Sequence, residues 1–403
     1  MKKIITALTV TALALSAAFA DVSLEFTQNA YILADKAVGA NNTGTLDLFT
    51  GYKGYDTPQT GQTITDKSSV GKDGITEGNL KFTAKTKVAG VEFTVKPTLN
   101  NSGNTIAWST YYGWAKFFEG AMELRAGRWE SRTVNRYTSY QGKIPGTFYE
   151  RYKPGIGVNK AIGADINNLT GKAKAAQLKY SMDGGVWVTG ALIKSAYDAA
   201  SGINSQSGWA AEFGTPIGEG SKLIVDFKNL KQDQYSLAAF FENSTIKEGL
   251  DFQVGFIFDH TTGATKPASS SSSIDAKNMM WAGDFRASYE LADNVTLITM
   301  NNLTYDGTTS VGGVYRLWDM ASLAIMASDA AILNLTVHWE HDDLLNAYDN
   351  EDNAIGQIDF SPMIKYQVGK GVDITGGVHI AVLGWSKPNT TLFSIPFVLH
   401  VSM

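Results

Sequence analysis

The sequence predicts an all-β fold, a single antiparallel up-and-down β-barrel that crosses a membrane, and three observations predict it. Most of the chain consists of segments of about ten residues in which apolar and polar side chains alternate. Beyond Asp21, no apolar run reaches the length of about eighteen residues that a membrane-spanning helix needs. The connections between the alternating segments are long and short in turn, which is typical of barrels that cross a membrane.

The composition excludes several classes of protein. The chain has 403 residues, of which 44% are hydrophobic and 18% charged, and it contains no cysteine. These values exclude a disulfide scaffold, a thiol enzyme, a cysteine-ligated metal protein and a disordered chain. The mean hydropathy of -0.11 is also too polar for a helical membrane protein.

Residues 1–20 have the pattern of a cleaved signal peptide. Lys2 and Lys3 precede an apolar stretch, and Ala18-Phe19-Ala20 fits the small-x-small cleavage rule. We therefore expect an exported chain that begins at Asp21, with residues 21–403 forming one barrel. Without Lys2 and Lys3, 32 of the 34 basic residues remain against 39 acidic ones, a net charge of -7 that argues against nucleic acid as a partner.

The alternation is clearest in the segment 333–340. Leu333, Leu335, Val337 and Trp339 share one face, and Asn334, Thr336, His338 and Glu340 share the other. In the same way Leu80, Phe82 and Ala84 lie opposite Lys81, Thr83 and Lys85. Soluble β-sandwiches alternate too, so this pattern predicts strands without choosing between the two architectures.

The pattern gives eighteen candidate strands, and sixteen is the main alternative because the stretches 44–53 and 321–330 are ambiguous. The candidates are 22–32, 78–88, 91–99, 106–116, 121–129, 176–183, 185–194, 207–214, 221–230, 235–243, 250–259, 279–291, 294–304, 312–326, 331–340, 355–366, 372–383 and 391–403.

The lengths of the connections favour a membrane barrel over a sandwich. All the long connections are odd-numbered along the chain, namely 33–77, 130–175, 195–206, 260–278 and 341–354, and the even-numbered ones are short turns. Outer-membrane barrels have long external loops and short periplasmic turns. An even number of strands then leaves both termini on the periplasmic side.

The two faces of the candidate strands imply different surroundings. The apolar faces carry almost no charge, as lipid contact requires, whereas the opposite faces carry Lys, Glu, Asp and Arg and need water. A closed barrel of about 16–18 strands encloses such an aqueous channel. Aromatic residues near the strand ends would form the interfacial girdles: Trp108, Tyr112, Trp114, Phe117, Phe118, Trp129, Trp281, Tyr289, Trp339 and Trp385.

One segment carries a family resemblance. Met122-Glu123-Leu124-Arg125-Ala126-Gly127-Arg128-Trp129 resembles the strand that precedes the inward-folded constriction loop of bacterial porins. The resemblance implies a pore in outer-membrane lipid for passive diffusion of small hydrophilic solutes and ions, assembled as a homotrimer, with no cofactor. Porins usually end in Phe, whereas this chain ends in Met403, a departure that spirochaetal-type porins tolerate.

The resemblance also implies where the pore narrows. The 130–175 connection would fold into the lumen, with Arg132, Arg136 and Arg151 facing a charged wall; the alternative is an external loop packed on itself. By alternation the wall would present Lys81, Lys85, Lys87, Glu92, Lys96, Glu123 and Arg125. Opposed charges orient dipolar solutes, and the basic excess of this set predicts a mild preference for anions.

Other functions are less well supported by the sequence. The five histidines are not part of any H-E-x-x-H, G-x-S-x-G or phosphate-cradling motif, so we expect neither an enzyme nor a metal site. Three further hypotheses stay open: a channel specific for sugars or anions, a plugged barrel that acts as an adhesin or structural surface protein, and a soluble periplasmic β-rich protein.

Overall fold

A computed structural model describes most of the predicted strands and few of the connections between them. The described residues are 20–39, 47–48, 76–99, 105–129, 174–194, 207–231, 234–260, 279–306, 314–341, 357–383 and 390–402. The predicted signal peptide lies outside them except for Ala20, and the predicted constriction loop lies outside them from residue 130 to residue 173.

Eighteen strands are arranged along the chain. They are β1 (Ala20–Gly39), β2 (Thr76–Lys85), β3 (Ala89–Leu99), β4 (Thr105–Phe117), β5 (Met122–Arg128), β6 (Lys174–Ser181), β7 (Trp187–Lys194), β8 (Ser207–Pro216), β9 (Ser221–Lys231), β10 (Gln234–Asn243), β11 (Leu250–His260), β12 (Met279–Ala292), β13 (Val295–Asp306), β14 (Val314–Ser328), β15 (Ala331–His341), β16 (Gln357–Gly369), β17 (Val372–Gly377 and His379–Leu383) and β18 (Thr390–Ser402).

Each strand pairs antiparallel with its neighbour in sequence, and the ring closes between β18 and β1. The closing register runs from Glu25 opposite Ser402 to Gly39 opposite Thr390. The predicted up-and-down barrel of 18 strands is therefore confirmed, and the count of sixteen is wrong.

Both ambiguous stretches are now assigned. Within 44–53, Asp47–Leu48 forms a two-residue strand that pairs with β1 and stays outside the ring. Within 321–330, the residues up to Ser328 belong to β14. In the described part of the chain, no helix is both long enough and apolar enough to cross a membrane.

The eight even-numbered connections are tight turns at one end of the barrel. They are 86–88, 118–121, 182–186, 217–220, 244–249, 293–294, 329–330 and 370–371. Side chains build several of them: Thr86 Oγ1 accepts a hydrogen bond from the Ala89 amide at 3.0 Å, and Asn243 Oδ1 accepts one from the Ile246 amide at 2.8 Å. The five predicted long connections are at the other end, although β1 continues to Gly39 and so enters the predicted 33–77 loop.

The two faces of the wall differ as the alternation predicts. In β15, Asn334, Thr336 and His338 are fully buried on the inward face, whereas Val337 is 47% exposed on the outward face. Outward side chains on other strands are large, apolar and exposed, among them Leu178, Phe213 and Phe256. The sheet therefore presents an apolar exterior and an interior that carries most of the polar groups.

The interior also contains apolar packing. Ile224, Phe240, Ile257 and Ala282 form a buried inward cluster across β9 to β12, and the half-buried Trp187 of β7 packs against it. This cluster is an apolar level of the inner wall, and charged side chains lie above and below it on the same strands, as Lys222 and Asp226 do beside Ile224.

A charge placed on the outward face should destabilise the barrel. Leu178 lies in the middle of β6 and is 46% exposed. If this face contacts lipid, Leu178→Arg should lower the free energy of unfolding in lipid vesicles by about 2–4 kcal/mol. Leu178→Met, the control, should cost less than about 1.5 kcal/mol. Urea unfolding followed by tryptophan fluorescence measures both, and equal stability of the two variants would contradict lipid contact at this position.

Candidate functional site on the inner wall

Strands β2 and β3 place an ion pair on the inner wall. Lys81 Nζ lies 2.8 Å from Glu92 Oε2 across these strands, and the Glu92 side chain is largely buried. Alternation along β2 puts Lys85 on the same face as Lys81, and Lys96 faces inward opposite Ala107. Strands β2 and β3 therefore place four of the predicted wall residues on the inward face: Lys81, Lys85, Glu92 and Lys96.

The remaining predicted residues divide into three groups. Lys87 lies in the turn 86–88 and not in a strand. Glu123 and Arg125 lie on the inward face of β5, opposite Lys116 and Trp114 of β4. The third group, Arg132, Arg136 and Arg151, falls outside the described residues.

Arg125 is held by one carboxylate and two aromatic rings. Its Nη2 donates to Glu123 Oε1 at 2.7 Å. Its guanidinium carbon lies 5.2 Å from the centre of the Tyr112 ring and 5.7 Å from that of Trp129. Cation–π contact and the salt bridge together fix the orientation of the guanidinium group, and about a quarter of the side chain (27%) stays accessible. We name Arg125, Glu123, Tyr112 and Trp129 the arginine clamp.

Gly127 makes the arginine clamp possible. Its φ of +131° is a conformation that residues with a side chain rarely adopt. A Cβ at this position would also lie 2.6 Å from Cα of Tyr112, the residue directly opposite on β4. Only glycine allows β5 to pass this close to β4 and then to bring Trp129, which is 1% exposed, beside Tyr112.

A bulge in β4 corrects part of the predicted aromatic girdle. Trp108, Tyr112 and Trp114 are all at even positions, and unbroken alternation would put them on one face. The register shifts between Thr94 and Val95, where Ser109 is the additional residue of β4. Trp108 consequently faces outward and is half exposed, whereas Tyr112 and Trp114 face inward and join the wall.

Sequence reasoning missed a second inward site, an acidic row across β7, β8 and β9. Thr189, Glu212 and Asp226 lie directly opposite one another on these strands, and each is at most 2% exposed. Trp187 Nε1 donates to Glu212 Oε1 at 2.6 Å, and Lys179 Nζ lies 5.1 Å from the centre of the Trp187 ring. Alternation within 207–214 and 221–230 predicts that both carboxylates face inward, but their alignment in one row depends on the strand register.

Glycine also shapes the acidic row. The Trp187 ring lies flat over Gly214, its partner in β8, where a Cβ would lie less than 2 Å from the ring. The indole can therefore run along the wall and reach Glu212, one row away. The same arrangement is found where Trp114 packs over Gly90.

A hydrogen-bonded row near the tight turns crosses four strands. Lys222 pairs with Glu242 at 2.9 Å, Gln253 donates to Glu242 at 2.9 Å, and Arg286 donates to Gln253 at 3.4 Å. Further along the ring, Asp373 pairs with Lys365 and His400. No group of three or more metal-ligating side chains occurs within the described residues.

Comparison by sequence finds no relatives. No protein-family model matches the chain, and no curated protein matches it.

Comparison by structure finds many barrels with the same fold. Pseudomonas aeruginosa OccK2 (OpdF), solved in complex with glucuronate, is 11% identical over 95% of this chain and 98% of its own, with a TM-score of 0.57. The outer membrane protein OpdK of the same organism is 10% identical over 95% and 98%, with a TM-score of 0.52. Pseudomonas putida OprB is 12% identical over 98% and 96%, with a TM-score of 0.52. The chain therefore has the fold of outer-membrane porins along nearly all of its length.

Replacing Gly127 should disrupt the arginine clamp. Gly127→Ala adds a Cβ that meets the Tyr112 backbone and forces a positive φ on a residue with a side chain, so we expect a loss of about 1–3 kcal/mol in the free energy of unfolding. The matched control is Gly113→Ala on β4, where the nearest atoms lie 3.5 Å from the added Cβ and the change should stay within about 0.5 kcal/mol. Equal losses in urea unfolding would show that Gly127 has no special role.

Proposed function

We propose that the protein is an outer-membrane pore through which small hydrophilic solutes and ions diffuse passively, without a cofactor and without catalysis. The observation that carries this proposal is the closed ring of eighteen strands with an apolar exposed exterior and charged side chains on its interior. Lipid contains no hydrogen-bond partners for the backbone, so a sheet can cross it only as a closed ring. The porin fold of the structural neighbours supports the same conclusion.

The distribution of connections supports an orientation. The start of β1, the end of β18 and the eight even-numbered tight turns lie at one end of the barrel, and the connections predicted to be long lie at the other. We assign the tight turns to the periplasm and the long connections to the cell surface.

A single cysteine at Ser271, in the 260–278 connection, should react with a membrane-impermeant maleimide on intact cells, and one at Asp329, in a tight turn, should not.

The charges of one sector of the wall, strands β2 to β6, support a preference for anions. Among the described side chains of β2 to β6, the inward basic residues outnumber the acidic ones: Lys81, Lys85, Lys96, Lys116, Arg125 and Lys179 face inward with Glu92 and Glu123. The carboxylates of Glu92 and Glu123 are each paired within the wall. A surplus of positive charge raises the local concentration of anions and excludes cations.

A more specific function has support from the arginine clamp. A guanidinium group that stays partly accessible beside aromatic rings suits a sugar-like solute that carries a carboxylate, because the carboxylate can pair with Arg125 while a ring stacks on Tyr112. The structural neighbour OccK2 was solved with glucuronate, which has this chemistry. The second candidate function is therefore a channel that selects acidic sugars.

The pore function predicts a stable conductance. Purified protein in planar bilayers should give discrete single-channel steps, and the reversal potential in a KCl gradient should have the sign of chloride preference. Arg125→Gln should move this potential toward cation preference.

A barrel that never conducts would support the plugged surface protein, and recovery of the protein in periplasmic osmotic-shock fluid would remove the membrane assignment. A clear cation preference of the wild type would refute the anion-selective wall.

Selection of acidic sugars predicts a saturable block. Glucuronate should reduce the wild-type conductance to a plateau, and Arg125→Gln should raise the half-blocking concentration roughly tenfold because a charge-assisted hydrogen bond is lost. Lys222→Gln is the matched control: it removes the same charge from the wall, but from the row near the tight turns. Equal sensitivity of both variants, or no block of the wild type, would leave general diffusion as the function.

A further inference from the structure

Three polar side chains form a cluster at mid-strand on the outward surface of the barrel. Thr299 and Asn301 belong to β13, and Asp319 lies opposite Asn301 on β14. Asn301 Nδ2 donates to Asp319 Oδ1 at 2.7 Å, and the Thr299 hydroxyl donates to Asn301 Oδ1 at 3.0 Å. We name these three residues the outward polar cluster.

The strand register places this cluster on the lipid-facing side. The row of directly opposed residues that contains Asn301 and Asp319 continues to Phe285 on one side and to Trp339 on the other. Phe285 is 40% exposed, and the next residues of the row, Val254 and Ile358, are apolar as well. Among the mid-strand outward positions of β2 to β16 whose side chains the structure describes, Asp319 is the only charged residue.

The depth of the cluster makes its position costly in lipid. Asn301 lies near the middle of β13. Four residues further along this strand, toward the long connections, Tyr305 contacts Trp281 and Tyr315 and forms an aromatic group with them. Aromatic rings of this kind lie at the headgroup level, so the cluster lies in the hydrocarbon region. There a carboxylate and an amide find no partners in the lipid.

The cluster satisfies only part of its own hydrogen-bonding capacity. An amide has two N–H donors and a carboxylate has two acceptor oxygens. The single hydrogen bond between them uses one of each. Toward the described residues, Asn301 therefore retains a donor and Asp319 an acceptor, and the two lie side by side as a self-complementary pair.

We propose that this face of the barrel, centred on β13 and β14, is an interface with a second copy of this chain, in which Asn301 of each copy donates to Asp319 of the other. The proposal rests on the membrane placement proposed above. Two copies inserted in the same orientation are related by an axis along the membrane normal, so the cluster meets its own counterpart at the same depth. An isologous contact of this kind pairs each residue reciprocally.

Small neighbours allow the two copies to approach. In the next outward row, Thr299 lies between Ala287 and Ala321, whereas most other outward positions carry large side chains. The surface is therefore shallow beside the polar pair. This two-fold contact yields a dimer, whereas the homotrimer implied by the porin resemblance would need two different surfaces in a three-fold ring.

Disulfide cross-linking in outer membranes tests the interface. The chain contains no cysteine, so each single-cysteine variant reports without background. Ala321→Cys lies beside the cluster, and the control Leu178→Cys lies on β6, eight strands away in a ring of eighteen. Under mild oxidation Ala321→Cys should form covalent dimers, and Leu178→Cys should not. Equal yields from the two variants would overturn the proposal.

Apolar replacements then test the cluster itself. In the Ala321→Cys background, Asp319→Leu and Asn301→Leu should each lower the dimer yield about tenfold, since each removes the reciprocal hydrogen bonds. Unchanged yields would overturn the role of the cluster even if cross-linking occurs. Heat-modifiable mobility on gels verifies that each variant is a folded barrel, and Asn301→Leu supplies the test if Asp319→Leu does not fold. Absence of the wild type from the outer-membrane fraction would refute the membrane placement, whereas its presence there without Ala321→Cys dimers would refute only the interface.

Discussion

The structure depends on one constraint, the pairing of every backbone N–H and C=O in a sheet that closes on itself. An open sheet of this size would leave two unpaired edges, which is costly in water and far more so in lipid. The pairing of β18 with β1 removes both edges. Once the ring is closed, each side chain faces either inward or outward, and the chemistry of the protein is a matter of which residues alternation assigns to each face.

One departure from strict alternation lies where the wall carries its most specialised groups. The bulge in β4 turns Tyr112 and Trp114 inward, and Gly127 on the facing strand allows Trp129 to approach them. Arg125 is oriented by these features and not by its own strand alone. On the exterior the corresponding exception is Asp319, the one charge among the described mid-strand outward side chains of β2 to β16. In both places the departure from the pattern marks a group that we assign to recognition, of a solute inside and of a second copy outside.

Much of the architecture could be predicted from the sequence because a period of two and turn residues are local signals. All eighteen strands occur in the predicted order, and alternation places Lys81, Glu92, Glu123 and Arg125 on the inward face. What could not be predicted depends on register. The position of the bulge decides where Tyr112 points. The pairing of Glu212 with Asp226, and of Asn301 with Asp319, depends on the register between neighbouring strands, which the connections between them set. No single segment contains that information, so the acidic row and the outward polar cluster emerge only from the assembled sheet.

The seam between β1 and β18 also governs the order in which this protein can be made. Its register joins Glu25 to Ser402, so the first strand waits for its second partner until almost the whole polypeptide has left the ribosome. Contacts between such distant residues carry a large loop-closure entropy and make folding slow. During that interval β1 and the strands after it display unsatisfied edges, the state most prone to aggregation. A chain with this topology therefore requires a chaperone between secretion and membrane insertion. Mutations in the seam should impair folding and insertion before they change transport through the pore.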